Sequence, residues 1–132
     1  MHEIAIEGEV SFHDVDGMRV VWRGHCFKYF ELARTALMRA ADLDVGTLIG
    51  PRFRFAVIES KCRYAWPLRY ADRFRCTAWV EDFRRRLLIR YEITNLTAAR
   101  RAARGHTVLA ILDQHDARLL ETPHEIASRF AS

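Results

Sequence analysis

Asp14 and Asp16 stand two residues apart in the segment "FHDVDGMRVVWRGHCFKYFELAR", Phe12 to Arg34. They come just ahead of an aromatic-rich stretch, with His25 at the join. A carboxylate so placed can serve as a general base or as a nucleophile. A helix that starts near His25 offers unpaired backbone amides and the positive end of its dipole. A carbonyl held between the two would meet the carboxylate on one side and oxyanion donors on the other. Such donors contribute roughly 3–4 kcal/mol each in measured cases. The plainer reading is that both aspartates merely end a strand, and sequence physics alone leaves the two readings open.

Other chemistry-bearing residues are less organised. Cys26, Cys62 and Cys76 are odd in number and far apart. They form neither a C-x-x-C motif nor a disulfide framework, which points to reduced thiols. No clustered ligands suggest zinc, so no metal is expected. Net charge is +4 and almost wholly arginine on the positive side, Lys28 and Lys61 being the only lysines. The basic residues do not form one block, which argues against a nucleic-acid partner. The densest run, "FRRRLLIR" from Phe83 to Arg90, is either a solvated turn or a grip on the phosphates of an anionic carrier.

Several elements must position these residues. A chain of 132 residues makes one domain the default. Half of them are hydrophobic, enough for a core. No run reaches the roughly 18 apolar residues of a membrane span. The start "MHEIAIEGEV" lacks the basic and apolar regions of a signal peptide. A cytoplasmic protein without membrane association is expected. "EIAIEGEVSFHDVD" alternates as a half-buried strand through Ile4, Ile6, Val10 and Phe12, with Gly8 as a candidate bulge. Gly17 to Gly24 reads as a loop with a short extended piece, "RVVW". From His25 to Ala41 the spacing is helical and apolar around most of the circumference, which predicts a mostly buried helix. Gly46, Gly50 and Pro51 then end it.

The remainder reads as strands: "FRFAVIESKCRYAWP", "DRFRCTAWVEDF", "RLLIRYEITN" and "RAARGHTVLAILD", in an antiparallel meander. The tail "TPHEIASRFAS" reads as a short helix capped by Thr122, with Pro123 first and Glu125 completing the box. One sheet curling round one helix is an α+β layout.

The motif "F-x-D-x-D-x-x-x-V-V-W" followed by "Y-F-E-x-A-R" resembles the signature of hot dog-fold thioesterases of the 4-hydroxybenzoyl-CoA thioesterase type. "YAWPLRYADRFRCTAWV" is similar to that family's strand–Pro–turn–Asp–strand segment. The last two strands resemble its last two as well, so the likeness runs from about Val10 to Asp113. "DVDGMRVVW" and "KYFELAR" look most like thioesterase-like proteins of aryl polyene pigment clusters.

The resemblance implies a single hot dog domain over residues 1–132, with an antiparallel sheet of five or six strands around one long helix. It implies subunits paired as a homodimer or homotetramer, with acyl-thioester sites at the dimer interface. The implied activity is hydrolysis of an acyl-CoA or acyl-carrier-protein thioester to free acid and thiol. No cofactor is implied beyond CoA or phosphopantetheine as part of the substrate. Asp16 aligns with the family's catalytic carboxylate, and amides of His25, Cys26 and Phe27 would polarise the carbonyl.

The segment "WRGHC" departs from the family, which usually has Gly near Arg19, His or Tyr at Arg23, Asn at His25 and Tyr at Cys26. A role tied to the family's residue at Arg23 does not carry over. His25 either substitutes for it catalytically or caps the helix. Arg19 and Arg23 could bind phosphate or a substrate carboxylate. Trp22, Phe27, Tyr29 and Phe30 either line an acyl tunnel or fill the core. Lys61, Arg63, Arg69 and Arg84 to Arg86 are candidates for carrier phosphates. Glu31 and Arg34 suit an ion pair or an interface anchor, and His106 a core or interface role. Two rival functions remain. One is a 3-hydroxyacyl thioester dehydratase using His25 and Glu31; the other is a non-catalytic acyl-thioester binding module.

Overall fold

The computed structural model describes residues 3–21, 23–43 and 52–131, with Arg23 described by its backbone alone. Trp22, Gly46, Gly50 and Pro51 therefore lie outside the described residues. Five strands form: β1 Glu3–Glu9, β2 Phe53–Tyr64, β3 Arg73–Asp82, β4 Leu87–Asn95 and β5 Arg100–Asp113. All pairings are antiparallel, in the spatial order β1-β3-β4-β5-β2. The helix α1, Arg23–Ala40, lies between β1 and β2 in sequence, and these are the two edges of the sheet. The connection therefore crosses the inner sheet face as a helix. This is the expected α+β hot dog arrangement, with five strands.

Residue alternation decides which side of each strand meets α1. On β3, Phe74, Cys76, Ala78 and Val80 are buried, and on β4, Leu87, Ile89, Tyr91 and Ile93 are. They meet Phe30, Ala33 and Leu37 from the helix in one core cluster. Truncating a fully buried leucine such as Leu37 to alanine costs about 2–5 kcal/mol in comparable cores. Arg90, Glu92, Arg104 and His106 take the other parity and line the outer face.

Several details differ from the sequence reading. The last four strands are not one meander: β3, β4 and β5 are neighbours in chain order, but β2 pairs with β5 at the far edge and not with β3. The helix is not buried all round: the sheet covers one side, and Phe27, Glu31 and Leu32 on the other are exposed. Phe12 is exposed because a single 3-10 turn, Phe12–Asp14, breaks the strand parity. Gly8 is no bulge, since it pairs in register with Phe74. A Cβ there would sit 3.1 Å from the Phe74 ring, so the missing side chain makes room for that aromatic. The last helix, α2, is His124–Ala127 with Pro123 at its cap and no side-chain capping bond. Thr122 does not cap it; its hydroxyl is buried without a partner among the described residues.

Candidate functional site

The loop between β1 and α1 folds back on itself. Val15 bridges to Val21, and Val20 bridges to Arg69. Asp16 sits at the tip of this fold and is exposed. Its Oδ1 accepts hydrogen bonds from the amides of Met18 (2.8 Å) and Val20 (3.3 Å). Its own amide donates to the Val20 carbonyl at 2.9 Å. One carboxylate oxygen is thus anchored, while Oδ2 has no hydrogen-bond partner among the described residues. A carboxylate fixed this way is oriented by its own loop and keeps one oxygen for a ligand.

Asp14, two residues earlier, has the opposite environment. It is only 4% exposed. Lys28 on α1 donates to both its oxygens at 3.0 and 3.3 Å, and the Tyr29 hydroxyl donates to Oδ2 at 2.8 Å. His25 Nδ1 lies 3.7 Å from Oδ1. Burial pushes the carboxyl upward, but hydrogen bonds from Lys28 and Tyr29, and the Lys28 charge, more than offset it. The group is held below the usual carboxylate range. Burial, then the contact with Asp14, pushes the Tyr29 hydroxyl well above its ordinary value. The Tyr29 ring stacks on Phe74 with centroids 4.4 Å apart, which ties the node to the sheet. Asp14 therefore fastens the loop to the first turns of α1.

An apolar cavity of about 320 Å³ opens between that loop and the helix start. Val20 and Val21 line it from the loop, Cys26 from α1, and Tyr64 to Leu68 from the end of β2. Behind it Cys26 meets Cys62, distant in sequence. Their mutual hydrogen bond, then burial, pushes the Cys26 thiol up, and the same hydrogen bond pulls Cys62 down. Burial, then the neighbouring Cys62, pushes Cys76 up to about 12.

The other expected site residues separate clearly. Phe30 packs in the core: it is 1% exposed, and its ring stacks on Tyr91 at 4.3 Å. Gly105 makes this possible, because a Cβ there would come within 2.7 Å of the Phe30 ring. Phe27 cannot supply an oxyanion amide. The helix begins at Arg23, not near His25, so the Phe27 amide is one full ring in and bonds the Arg23 carbonyl. The unpaired amides belong to the first turn, Arg23 to His25. Cys26 contributes its buried side chain to the cavity. Arg19 is exposed at φ 62°, a left-handed conformation that suits glycine far better than arginine. Lys61 and Arg63 lie on the outer sheet face, as does His106, whose Nε2 meets Glu59. The side chains of Trp22 and Arg23 lie outside the described residues.

Arg34 does not pair with Glu31; its guanidinium reaches the hydroxyls of Tyr91 (3.3 Å) and Thr107 (3.5 Å). The Asp14 node was not foreseen. Its only sequence signal is that His25, Lys28 and Tyr29 share a helix face by three-and-four spacing. Among the described residues, no group of three His, Cys, Asp or Glu is placed to hold a metal ion. No helix among the described residues is long and apolar enough to cross a membrane.

A five-stranded antiparallel sheet packed against one helix, with a cavity at the helix start, defines a hot dog-fold protein. Residues 10–130 match the sequence profile of the thioesterase-like superfamily, and the chain belongs to that family. No curated protein matches it. Among solved structures it is similar to a DHNA-CoA thioesterase from Staphylococcus aureus. That match has 22% identity, TM-score 0.80, and covers 91% of this chain and 81% of that one. It is also similar to a 1,4-dihydroxy-2-naphthoyl-CoA thioesterase from Synechocystis, at 17% identity and TM-score 0.83, covering 98% and 96%. A third, a Staphylococcus aureus protein solved in complex with CoA, has 15% identity and TM-score 0.84, covering 97% and 81%.

Proposed function

We propose that this chain hydrolyses an acyl-CoA thioester to a free acid and CoA thiol. One observation carries the reading: Asp16 holds an oriented carboxylate with a free oxygen, bonded to cavity-lining Val20, while the same cavity reaches the first turn of α1. Asp16 acts as the base that activates water, or attacks the carbonyl itself. The amides of Arg23 to His25 receive the oxyanion. The apolar cavity takes the acyl group. His25, beside Asp14, serves as a positioning residue that keeps the helix start against the loop. Membership of the thioesterase-like superfamily supports the reaction class. The narrower likeness, to the 4-hydroxybenzoyl-CoA type and to aryl polyene cluster proteins, belongs to this proposal too.

The active unit is proposed to be a homodimer. Strand β2 is twelve residues long and lies at a sheet edge, with Val57 and Ile58 exposed on it. Phe27 and Leu32 are exposed on α1. An open edge of this length calls for cover, and a twofold copy supplies it. The cytoplasm is the proposed location. The dehydratase reading loses support, because His25 and Glu31 lie six residues apart on α1 and point about 120° apart around its axis.

The test is a panel of acyl-CoAs with a thiol reagent. Thiol release well above background supports hydrolysis. Saturable acyl-CoA binding without release would leave a binding module instead.

A further inference from the structure

Three cavities run in sequence around the end of β2. The apolar cavity shares Tyr64, Ala65 and Ala103 with a smaller one of about 110 Å³. That one shares Arg63, Arg101 and Arg104 with a cleft of about 460 Å³ on the outer sheet face. The cleft is lined by Lys61, Arg63, Arg90, Arg101 and Arg104 against one carboxylate, Glu92. Arg101 is committed to Glu92 at 3.8 Å and Arg90 to Glu81 at 2.9 Å. Lys61, Arg63 and Arg104 have no carboxylate partner among the described residues. All three are exposed. Their proximity follows from register: Lys61 pairs with His106, and Arg63 directly with Arg104.

Two arginines facing each other across a strand pair repel, and such a pair is unfavourable unless an anion lies between them. The half-buried indole of Trp79 lines the same cleft, beside Arg90 across β3 and β4. Guanidinium groups suit phosphate oxygens bidentately, and an aromatic plane suits a base. From Tyr64 back to Lys61 the strand runs about 10 Å.

We propose that this outer-face cleft holds the phosphorylated nucleotide end of CoA, with the pantetheine arm passing round the end of β2 at Tyr64 and Ala65 into the apolar cavity. The inference rests on the hydrolase reading for the direction of the substrate. Arg63 and Arg104 carry the phosphates. A concave cleft with one indole fits a free nucleotide. An acyl carrier protein presents a protein surface and would need a broad basic face.

The experiment compares an acyl-CoA with the same acyl group on pantetheine, which lacks the nucleotide. In wild type, KM is lower for the CoA ester. In Arg63→Glu and Arg104→Glu, that preference is expected to fall about tenfold or more, seen in KM and not in kcat. 3′,5′-Adenosine diphosphate is expected to inhibit wild type competitively and these variants weakly. An unchanged preference in both variants would overturn the proposal. So would turnover of an acyl carrier protein substrate that falls while acyl-CoA kinetics stay as they were. If wild type releases thiol from neither ester, the hydrolase reading fails by itself. The cleft is then decided by calorimetry with CoA and pantetheine: tighter binding of CoA, lost in the two variants, supports it, and equal binding overturns it.

Discussion

Asp14 and Asp16 are the same residue type, two positions apart, and the fold treats them oppositely. Asp14 is buried and meets Lys28, Tyr29 and His25 from the helix. Asp16 is exposed and touches only amides of its own loop among the described residues. A carboxylate with both oxygens engaged holds structure. One with an oxygen to spare, bonded to a residue that lines a cavity, can do chemistry. The difference shows that position relative to the 3-10 turn Phe12–Asp14, and not residue type, divides the two roles.

The largest expected effect separates them by activity. Asp16→Asn keeps an oxygen for the amides of Met18 and Val20 but removes the base. Its kcat for thioester hydrolysis is expected to fall roughly 10²–10⁴-fold, while stability stays within about 0.5 kcal/mol. Asp14 should show the reverse emphasis. Asp14→Ala strands the buried Tyr29 hydroxyl, and denaturant unfolding is expected to show a loss of about 1–3 kcal/mol. A smaller effect belongs to Arg19, held at a positive φ. Arg19→Gly is expected to gain about 1 kcal/mol by relieving that conformation. A rise in KM in the same variant would show that the side chain also meets substrate.

The smallest effect is in the acid limb. Asp14 is depressed in the folded state, so its contribution is complete above the ordinary value of 3.8 and lost as pH falls through its folded value. The stability difference between wild type and Asp14→Asn should therefore shrink below pH 3.8. A difference that stays constant to lower pH would mean that the node is not ion-paired in solution.

The strands were legible because each alternates. Phe74, Cys76, Ala78 and Val80 all face inward, as their spacing requires. The helix was legible in extent but not in rotation. Phe27 and Phe30 are three apart, and only the sheet's position decides that Phe30 enters the core while Phe27 stays exposed. The open helix side was hidden for the same reason, since five strands cover one face only. In the candidate site, the carboxylate-then-helix order was visible, but the partners of Asp14 come from a tertiary contact across about fifteen residues. The cationic cleft was harder still. Arg63 and Arg104 are far apart in sequence and become neighbours only through the β2–β5 register. Thr122 illustrates a local miss: Pro123 takes the cap position, so the helix starts one residue later than the capping box needs.

The central claim is that the Asp16 carboxylate drives thioester hydrolysis. Single-turnover kinetics tests it most directly, with protein in excess over an acyl-CoA that the wild type turns over. Product release and substrate affinity then drop out of the rate. The account predicts one CoA thiol freed per thioester by the wild type and intact, bound thioester with Asp16→Asn over the same interval. Full conversion by Asp16→Asn at the wild-type rate would contradict it.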